Sequence, residues 1–446
     1  MIVVIGGGPA GRIAAMRLGQ AGREVRLIEK RAIGGQCLHD RCMVVCALAD
    51  AARAVERSRR MYDLGILDAA PRVSFPTLMT RMREVQQKLA AVLDEETRST
   101  GVEVIYGAEG SIDGSTVFVD GERIPAEAVI AATGSRAVLP AIPGIERDGV
   151  YTYETLRLLP EVPGRIAIIG GGTVAAEFAH IFRAFGAEVT VLARSRFLGD
   201  LNEKLRAAAF RDLAGMDIRE QTAAESLEGG GRVRSVAVRT AAGTDTIDVD
   251  AVFLATGLAP RSEMLQGIGK KPDGSVIVDA RMRTDVPGVY AAGDVIGPPY
   301  LTPVARREGV VAADTILGRD TVMDYTGVPR ALELGYEFAY VSVDGDDDLA
   351  LSSPAPAGPG SFWDVPRSWT GMAQIRVDPE TGRLVGASAA APGASLLISY
   401  IGSLMKKGIR VGDFDDFAEI HPSTDGVYWL SRYAAGLLRK KNGDEP

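Results

Sequence analysis

The 446-residue chain has three cysteines, Cys37, Cys42 and Cys46, all within one short stretch. Two of them end the run Gly34-Gly35-Gln36-Cys37-Leu38-His39-Asp40-Arg41-Cys42. A thiol pair that opens and closes stores two electrons, so their spacing matters. Five residues along an ideal helix hold two Cα atoms roughly 8 to 9 Å apart, beyond the ~7 Å that a disulfide tolerates. Cys37 is therefore expected in an irregular first turn, with Cys42 inside the helix that follows. A helix N-terminus lowers a thiol pKa, which suits a reactive pair. The competing reading is two buried, inert cysteines, because free cysteines favour apolar burial.

Gly6, Gly8 and Gly11 form G-x-G-x-x-G between an apolar run, Ile2 to Ile5, and a helical stretch, Arg12 to Ala21. In that context backbone amides and a helix N-terminus can hold a pyrophosphate. Glu29 ends the next apolar run, Val25 to Ile28, where its carboxylate would accept from a ribose 2′-hydroxyl and repel a 2′-phosphate. This unit is expected to take FAD or NAD and not NADP; a Gly-rich turn that binds nothing is the alternative. A second unit repeats the pattern with Gly170, Gly172 and Ala175 between Arg165 to Ile169 and a helical stretch, Val174 to Phe185. Ala193 stands to Gly170 as Glu29 stands to Gly6, 23 positions on in each case. The ribose carboxylate is thus missing, and Arg194 and Arg196 flank the gap, as expected where a 2′-phosphate must be accommodated. NADPH is expected over NADH, against the alternative that both arginines are solvated loop charges.

Positioning these groups requires two βαβ units, and each has a later partner at the end of an apolar strand. These are Ala132-Thr133-Gly134 after Ala128 to Ala131, and Ala255-Thr256-Gly257 after Ala251 to Leu254. The duplication predicts two related nucleotide-binding domains. The last third differs: Phe338 to Val343 reads as a strand, and Gln374 to Val377 with Leu384 to Ser388 as a hairpin, so a separate α+β domain is expected. Asp346 to Asp348 and Ser353 to Gly360 read as surface loops.

The chain is too long for one core and should divide into roughly three domains. With 46% hydrophobic and 24% charged residues it is globular in composition. A net charge of −8 and the absence of a basic, aromatic-laced patch argue against nucleic acid as a partner. Neither a secretory leader nor a membrane span is evident, and the clustered cysteines do not form a dispersed disulfide framework, so a cytoplasmic protein is expected. No metal site is expected.

Gly-Gly-x-Cys with a second cysteine five positions on, following an FAD-type βαβ unit, resembles the class I pyridine nucleotide-disulfide oxidoreductases, which include dihydrolipoamide dehydrogenase, glutathione reductase and mercuric reductase. The likeness covers nearly the whole chain. Thr284 to Asp294, ending Ala291-Ala292-Gly293-Asp294, resembles the family's second FAD segment, in which the aspartate contacts the ribityl chain; Ile420-His421-Pro422-Ser423-Thr424 is similar to its C-terminal His-Pro-Thr. The resemblance implies an FAD-binding domain at 1–145, an NAD(P)-binding domain at 146–265, a further FAD-binding part at 266–325 and a C-terminal dimerisation domain at 326–446. It implies that Cys37 attacks a substrate disulfide, that Cys42 lies against the flavin, and that His421, supplied by the other subunit of a homodimer, moves the proton.

Departures from the family concern the partners of these groups. Gly426 stands where a glutamate usually orients the histidine, leaving Asp425 as a substitute. Cys46 replaces a lysine that would pair with the glutamate matched by Glu177; a small apolar filler is the preferred reading of Cys46, and a third reactive thiol the sharper one. Arg41 replaces a glycine, and His39-Asp40 is unfamiliar in the loop. No C-terminal cysteine pair exists to pass on a soft metal ion or to serve as in large thioredoxin reductases. The expected path runs from NADPH to FAD to Cys37 and Cys42 to a small-molecule or protein-bound disulfide, with a dihydrolipoamide dehydrogenase-like enzyme as the nearest likeness. The alternative is a flavoprotein subunit or redox sensor with weak disulfide turnover.

Overall fold

Ile2–Ile5 is a run of β-branched residues with every side chain buried, the pattern of a strand covered on both faces. The computed structural model describes residues 1–343, 349–352, 365–367, 371–420 and 426–442. In it this strand is the centre of a parallel sheet ordered Val289–Ala291, Ala128–Ala131, Ile2–Ile5, Val25–Glu29, Val102–Tyr106. Helix α1 (Pro9–Gln20) makes the first crossover. It starts earlier than the apolar periodicity indicates because Pro9 fits the first helical position, where its missing N–H would have no partner anyway. Helices α2 (Gly35–His39), α3 (Cys42–Asp63) and α4 (Phe75–Ser99) follow the second strand.

The second parallel sheet is ordered Val150–Tyr151, Ala251–Leu254, Arg165–Ile169, Glu188–Leu192, Asp217–Arg219, with α5 (Thr173–Ala184) as its crossover and α6 (Glu203–Asp212) beyond. Four of its strands repeat the order of the first sheet, and the edge strand differs, Val150–Tyr151 preceding its unit in the chain where Val289–Ala291 follows. The match extends to atoms: the Gly6 amide donates to Ile28 and the Gly170 amide to Leu192, while Ala132 and Ala255 donate to Ile5 and Ile169. A Cβ at Gly6 would strike the Ala132 carbonyl, and one at Gly170 the Ala255 carbonyl, so in both turns glycine is required by close backbone approach.

The two Thr-Gly turns that looked like separate partners of separate units meet in space. Ser135–Ala137 pairs antiparallel with Leu258–Pro260. Thr133 Oγ1 donates to the Arg261 carbonyl at 2.5 Å, and Thr256 Oγ1 to the Val138 carbonyl at 2.7 Å. The chain then returns to the first sheet, and α7 (Thr302–Ile316) packs on α1 so closely that a Cβ at Gly309 would strike the Ala10 backbone.

The C-terminal region is an antiparallel sheet ordered Arg330–Glu333, Glu337–Ser342, Leu384–Ala391, Met372–Val377, Leu349–Ser352. It shares a core with α8 (Ala394–Lys406) and α9 (Gly426–Asn442). The expected hairpin is present with the same turn, its strands longer at the open end, Met372 and Ala391. The architecture is α/β, with two Rossmann-like dinucleotide-binding domains and a C-terminal α+β domain. Both expected loops, Asp346 to Asp348 and Ser353 to Gly360, lie outside the described residues, the first adjoining strand Leu349–Ser352. Among the described residues no helix is long and apolar enough to cross a membrane.

Candidate active site

One cleft collects the candidate site residues Gly6, Gly8, Glu29, Cys37, Cys42, Thr133, Gly134, Gly293 and Asp294, with His39 and Arg41 of the unfamiliar loop. Gly8 caps α1 without a side chain of its own, and no side chain caps that terminus. The first-turn amides are therefore open to a diphosphate. Gly11 lies behind this turn, where a Cβ would strike the Gly6 carbonyl. Glu29 is buried, with one carboxylate oxygen accepting from the Gly7 amide and the other from the Arg31 amide, both at 2.7 Å. Two backbone donors thus fix the carboxylate at the cleft edge with acceptor capacity to spare for a ribose hydroxyl. At the other end, Asp294 Oδ2 accepts from Ser135 Oγ at 2.6 Å and from Arg41 Nη1 at 2.8 Å. The donor set fits FAD: a diphosphate cradle, a ribose carboxylate and a carboxylate farther along for a hydroxylated chain.

The cysteines answer the spacing problem differently from the expectation. Cys37 belongs to the separate short helix α2, and Cys42 is the first residue of α3, not a residue inside it. The break between them arises because each residue of the linking loop is held from elsewhere. His39 Nε2 meets the Ile33 carbonyl at 2.9 Å; the buried Asp40 carboxylate accepts two hydrogen bonds from Arg31, at 3.0 and 3.3 Å; Arg41 is drawn to Asp294. Gln86 of α4 donates to the carbonyls of Leu38 and His39. These tethers, local from Ile33 and Arg31 and long-range from Asp294 and Gln86, accompany the interruption of the helix at Asp40 and Arg41.

Both sulfurs face the N-terminal end of α7. Thr302, its first residue, donates from Oγ1 to Cys37 Sγ at 3.2 Å and lies 3.3 Å from Cys42 Sγ. Two helix N-termini, α3 and α7, thus converge on the pair. The Cys42 thiol is depressed to about 6, chiefly by the hydrogen bond from Cys37 and then by Thr302 and Arg41. Cys37 is pushed up, chiefly by donating that bond and also by burial. Both effects favour the proton on Cys37 and the negative charge on Cys42 in the reduced pair. No disulfide links them here.

Glu177 lies on α5 within electrostatic reach of Cys42, and burial pushes its carboxyl up to about 8. Its Oε1 accepts from the Glu333 amide at 3.0 Å. Cys46, one turn along α3 from Cys42, carries a thiol raised by burial and by the neighbouring Glu333, whose carboxylate is held by Arg53 at 2.6 Å.

In the second unit Gly172 caps α5, again without a side-chain cap, Ala175 is buried beneath the turn, and Gly257 continues the Thr256 turn. Ala193 is fully buried at the end of its strand. Arg194 and Arg196 are both exposed beyond it; Arg196 Nη2 closes on the Glu203 carboxylate at 2.5 and 2.6 Å. His421 and Asp425 lie outside the described residues. Sequence reading missed Thr302, whose only local signal is a Thr-Pro pair opening a helix, and Ser135, whose only local signal is its place directly after Thr133-Gly134.

The profile of the family described as "Pyridine nucleotide-disulphide oxidoreductase" matches residues 1–309. The chain is 29% identical over 446 residues to the dihydrolipoyl dehydrogenase of Halobacterium salinarum, covering 95% of this chain and 93% of that protein. It is 31% identical over 447 residues to the mercuric reductase of Shigella flexneri, covering 93% of this chain and 77% of that protein. A solved structure titled "HOCl-induced flavoprotein disulfide reductase RclA from Escherichia coli" superposes with a TM-score of 0.83 at 26% identity, covering 96% of this chain and 98% of that one. The chain belongs to the pyridine nucleotide-disulphide oxidoreductase family and is an FAD-dependent disulfide oxidoreductase of the type these three proteins represent.

Proposed function

We propose that the protein is an NADPH-dependent disulfide reductase in which Cys37 and Cys42 are the working sulfurs. The observation that carries this reading is the placement of both sulfurs around one hydroxyl, Thr302 Oγ1, at the joint N-termini of α3 and α7 and on the cleft that fits FAD. Bound FAD supplies acceptance of a hydride from the nucleotide and delivery of the electron pair to sulfur. Cys42 holds the thiolate beside that group, and Cys37 is the thiol that, once deprotonated, attacks one sulfur of a small-molecule or protein-bound disulfide. The resulting mixed disulfide is resolved by Cys42, which re-forms the Cys37–Cys42 bond and releases the second substrate thiol. The balance is NADPH, one proton and one disulfide in, NADP+ and two thiols out.

His421 is the proposed proton carrier for Cys37, with Asp425 as its orienting group, both supplied by the second subunit of a homodimer. Preference for NADPH over NADH rests on Ala193 in place of a ribose carboxylate and on exposed Arg194 and Arg196. The division at 1–145, 146–265, 266–325 and 326–446 is proposed as the domain plan, and the cytoplasm as the compartment. The substrate class is nearest that of a dihydrolipoyl dehydrogenase.

A second reading, a redox sensor or complex subunit with weak turnover, draws on Cys46 in place of the lysine, with no cation paired to Glu177 among the described residues. Assaying NADPH oxidation against lipoamide, glutathione disulfide and coenzyme A disulfide separates the two. Catalytic turnover with one of them supports the reductase; NADPH-driven reduction of the protein with no reoxidation by any disulfide supports the sensor.

A further inference from the structure

Arg41 is an arginine directly before Cys42, with its charge half-buried in the cofactor cleft. Its side chain is 19% exposed and that of its partner Asp294 17%. Nη1 donates to Asp294 Oδ2 at 2.8 Å and to Ser135 Oγ at 3.4 Å, and the guanidinium carbon stands 5.4 Å from the centre of the Tyr153 ring. A side chain held at three points, from three separate parts of the chain, is not a solvated loop charge. Its backbone is the N-cap of α3, yet it caps no amide with its side chain. The side chain is therefore free to act on the cleft.

The electrostatic problem it meets is visible in the neighbours. Asp294 is a carboxylate close enough to disfavour a thiolate at Cys42, whereas Arg41 favours one. Glu177 approaches the same sulfur from α5, and position 46 carries no cation. The other groups acting on the pair are Cys37 on α2, the Thr302 hydroxyl on α7, and Arg306, whose charge acts on Cys37. Among the described residues Arg41 is the fixed cation adjoining Cys42, and a guanidinium keeps its charge at every working pH.

We infer that Arg41 is a positioning residue of the sulfur pair: by neutralising Asp294 and lying one residue from Cys42, it adds to the contacts from Cys37 and Thr302 in holding the negative charge on Cys42, and it anchors the start of α3 against the cleft. The inference rests on the reading of Cys37 and Cys42 as the working sulfurs. It gives a role to a residue that sits where the resembled family has glycine.

Because the chain has three cysteines, the C37S/C46S protein retains Cys42 alone, and its alkylation by iodoacetamide can be followed against pH in the full-length flavoprotein. Adding Arg41→Gln should raise the pH midpoint by about one unit, a ten-fold shift in the thiolate equilibrium, and Arg41→Lys should recover most of it. Adding Asp294→Asn to Arg41→Gln should lower the midpoint again, since the uncompensated carboxylate is gone. Long-wavelength thiolate-to-flavin absorbance gives the same midpoint independently, and if the glutamine variant lost flavin, the alkylation profile of the flavin-free parent would serve as its reference. An unchanged midpoint in Arg41→Gln, or a lysine variant no better than glutamine, overturns the inference. Whether the wild-type protein forms the Cys37–Cys42 bond is read separately by mass, so failure of the disulfide reading and failure of this one are distinct results.

Discussion

Thr302 Oγ1 lies 3.3 Å from Cys42 Sγ, across 260 positions of sequence. The hydroxyl is a neutral group touching both sulfurs, so its removal should act on charge and leave the fold intact. Hydrogen bonds to charged groups contribute about 1.5 to 3 kcal/mol, or roughly one to two pH units. Thr302→Val, which keeps the shape, should raise the Cys42 midpoint from near 6 by about one unit, read from thiolate absorbance against pH. A midpoint that does not move would remove Thr302 from the account.

Coenzyme choice should divide unequally between the two arginines. Arg196 is already closed on Glu203, whereas Arg194 makes no hydrogen bond or ion pair among the described residues. Arg194→Gln should lower kcat/KM for NADPH by about ten-fold and leave NADH little changed, the loss of one charge-assisted contact. Arg196→Gln should do less, and Glu203→Gln, which releases Arg196, should improve NADPH use. Equal losses for NADPH and NADH in the Arg194 variant would show that the charge does not read a 2′-phosphate.

Glu177 gives a stability signature. Burial raises its carboxyl to about 8, above the ordinary carboxylate range. The folded protein therefore binds a proton that the unfolded chain has released between about pH 4.5 and 8, and stability contributed by this group is full below that window and lost as pH rises through it. Glu177→Gln, neutral at every pH, should flatten the decline, making the variant more stable than the parent at pH 8 to 9 and similar near pH 5. Thermal melts across that range decide it; parallel curves for the two proteins would contradict the assignment.

A buried ionic cluster ties the C-terminal region to the nucleotide-binding domains. Glu56 of α3 accepts from Arg367 at 2.6 Å and from Arg60 at 2.8 Å, with His180 of α5 near it, while Arg367 also bonds Asp212 of α6. Removing one partner of such a cluster strands buried charge, at a cost of about 3 to 5 kcal/mol. Glu56→Ala should lower the melting temperature well beyond the effect of an exposed substitution such as Glu84→Ala. A change as small as that control would show the cluster to be energetically idle.

Much of this was legible in the sequence because it is local. Both glycine turns, the matched spacing to Glu29 and Ala193, and the paired Thr-Gly turns are short patterns imposed by backbone geometry and helix termini, and the duplicated sheet follows from them. The C-terminal hairpin was legible from its turn residues. What was not legible depends on which groups meet in space, most of them far apart in the chain. Asp40 and Arg41 interrupt the helix where Arg31, nine positions back, and Asp294, 253 positions on, hold them, and neither the Thr-Pro pair at Thr302 nor the Thr-Gly turn before Ser135 shows the hydrogen bonds that bring Thr302 to the sulfurs and Ser135 to Asp294.

The most direct test of the central claim compares Cys37→Ser with Cys42→Ser in the full flavoprotein. The wild-type protein should form a Cys37–Cys42 disulfide, open it with NADPH and re-form it on adding a substrate disulfide. Cys37→Ser should keep the long-wavelength thiolate-to-flavin absorbance, titrating with Cys42, and Cys42→Ser should lack it. If the band survived in Cys42→Ser, or if the two sulfurs of the wild-type protein never bonded to each other, the account would be wrong.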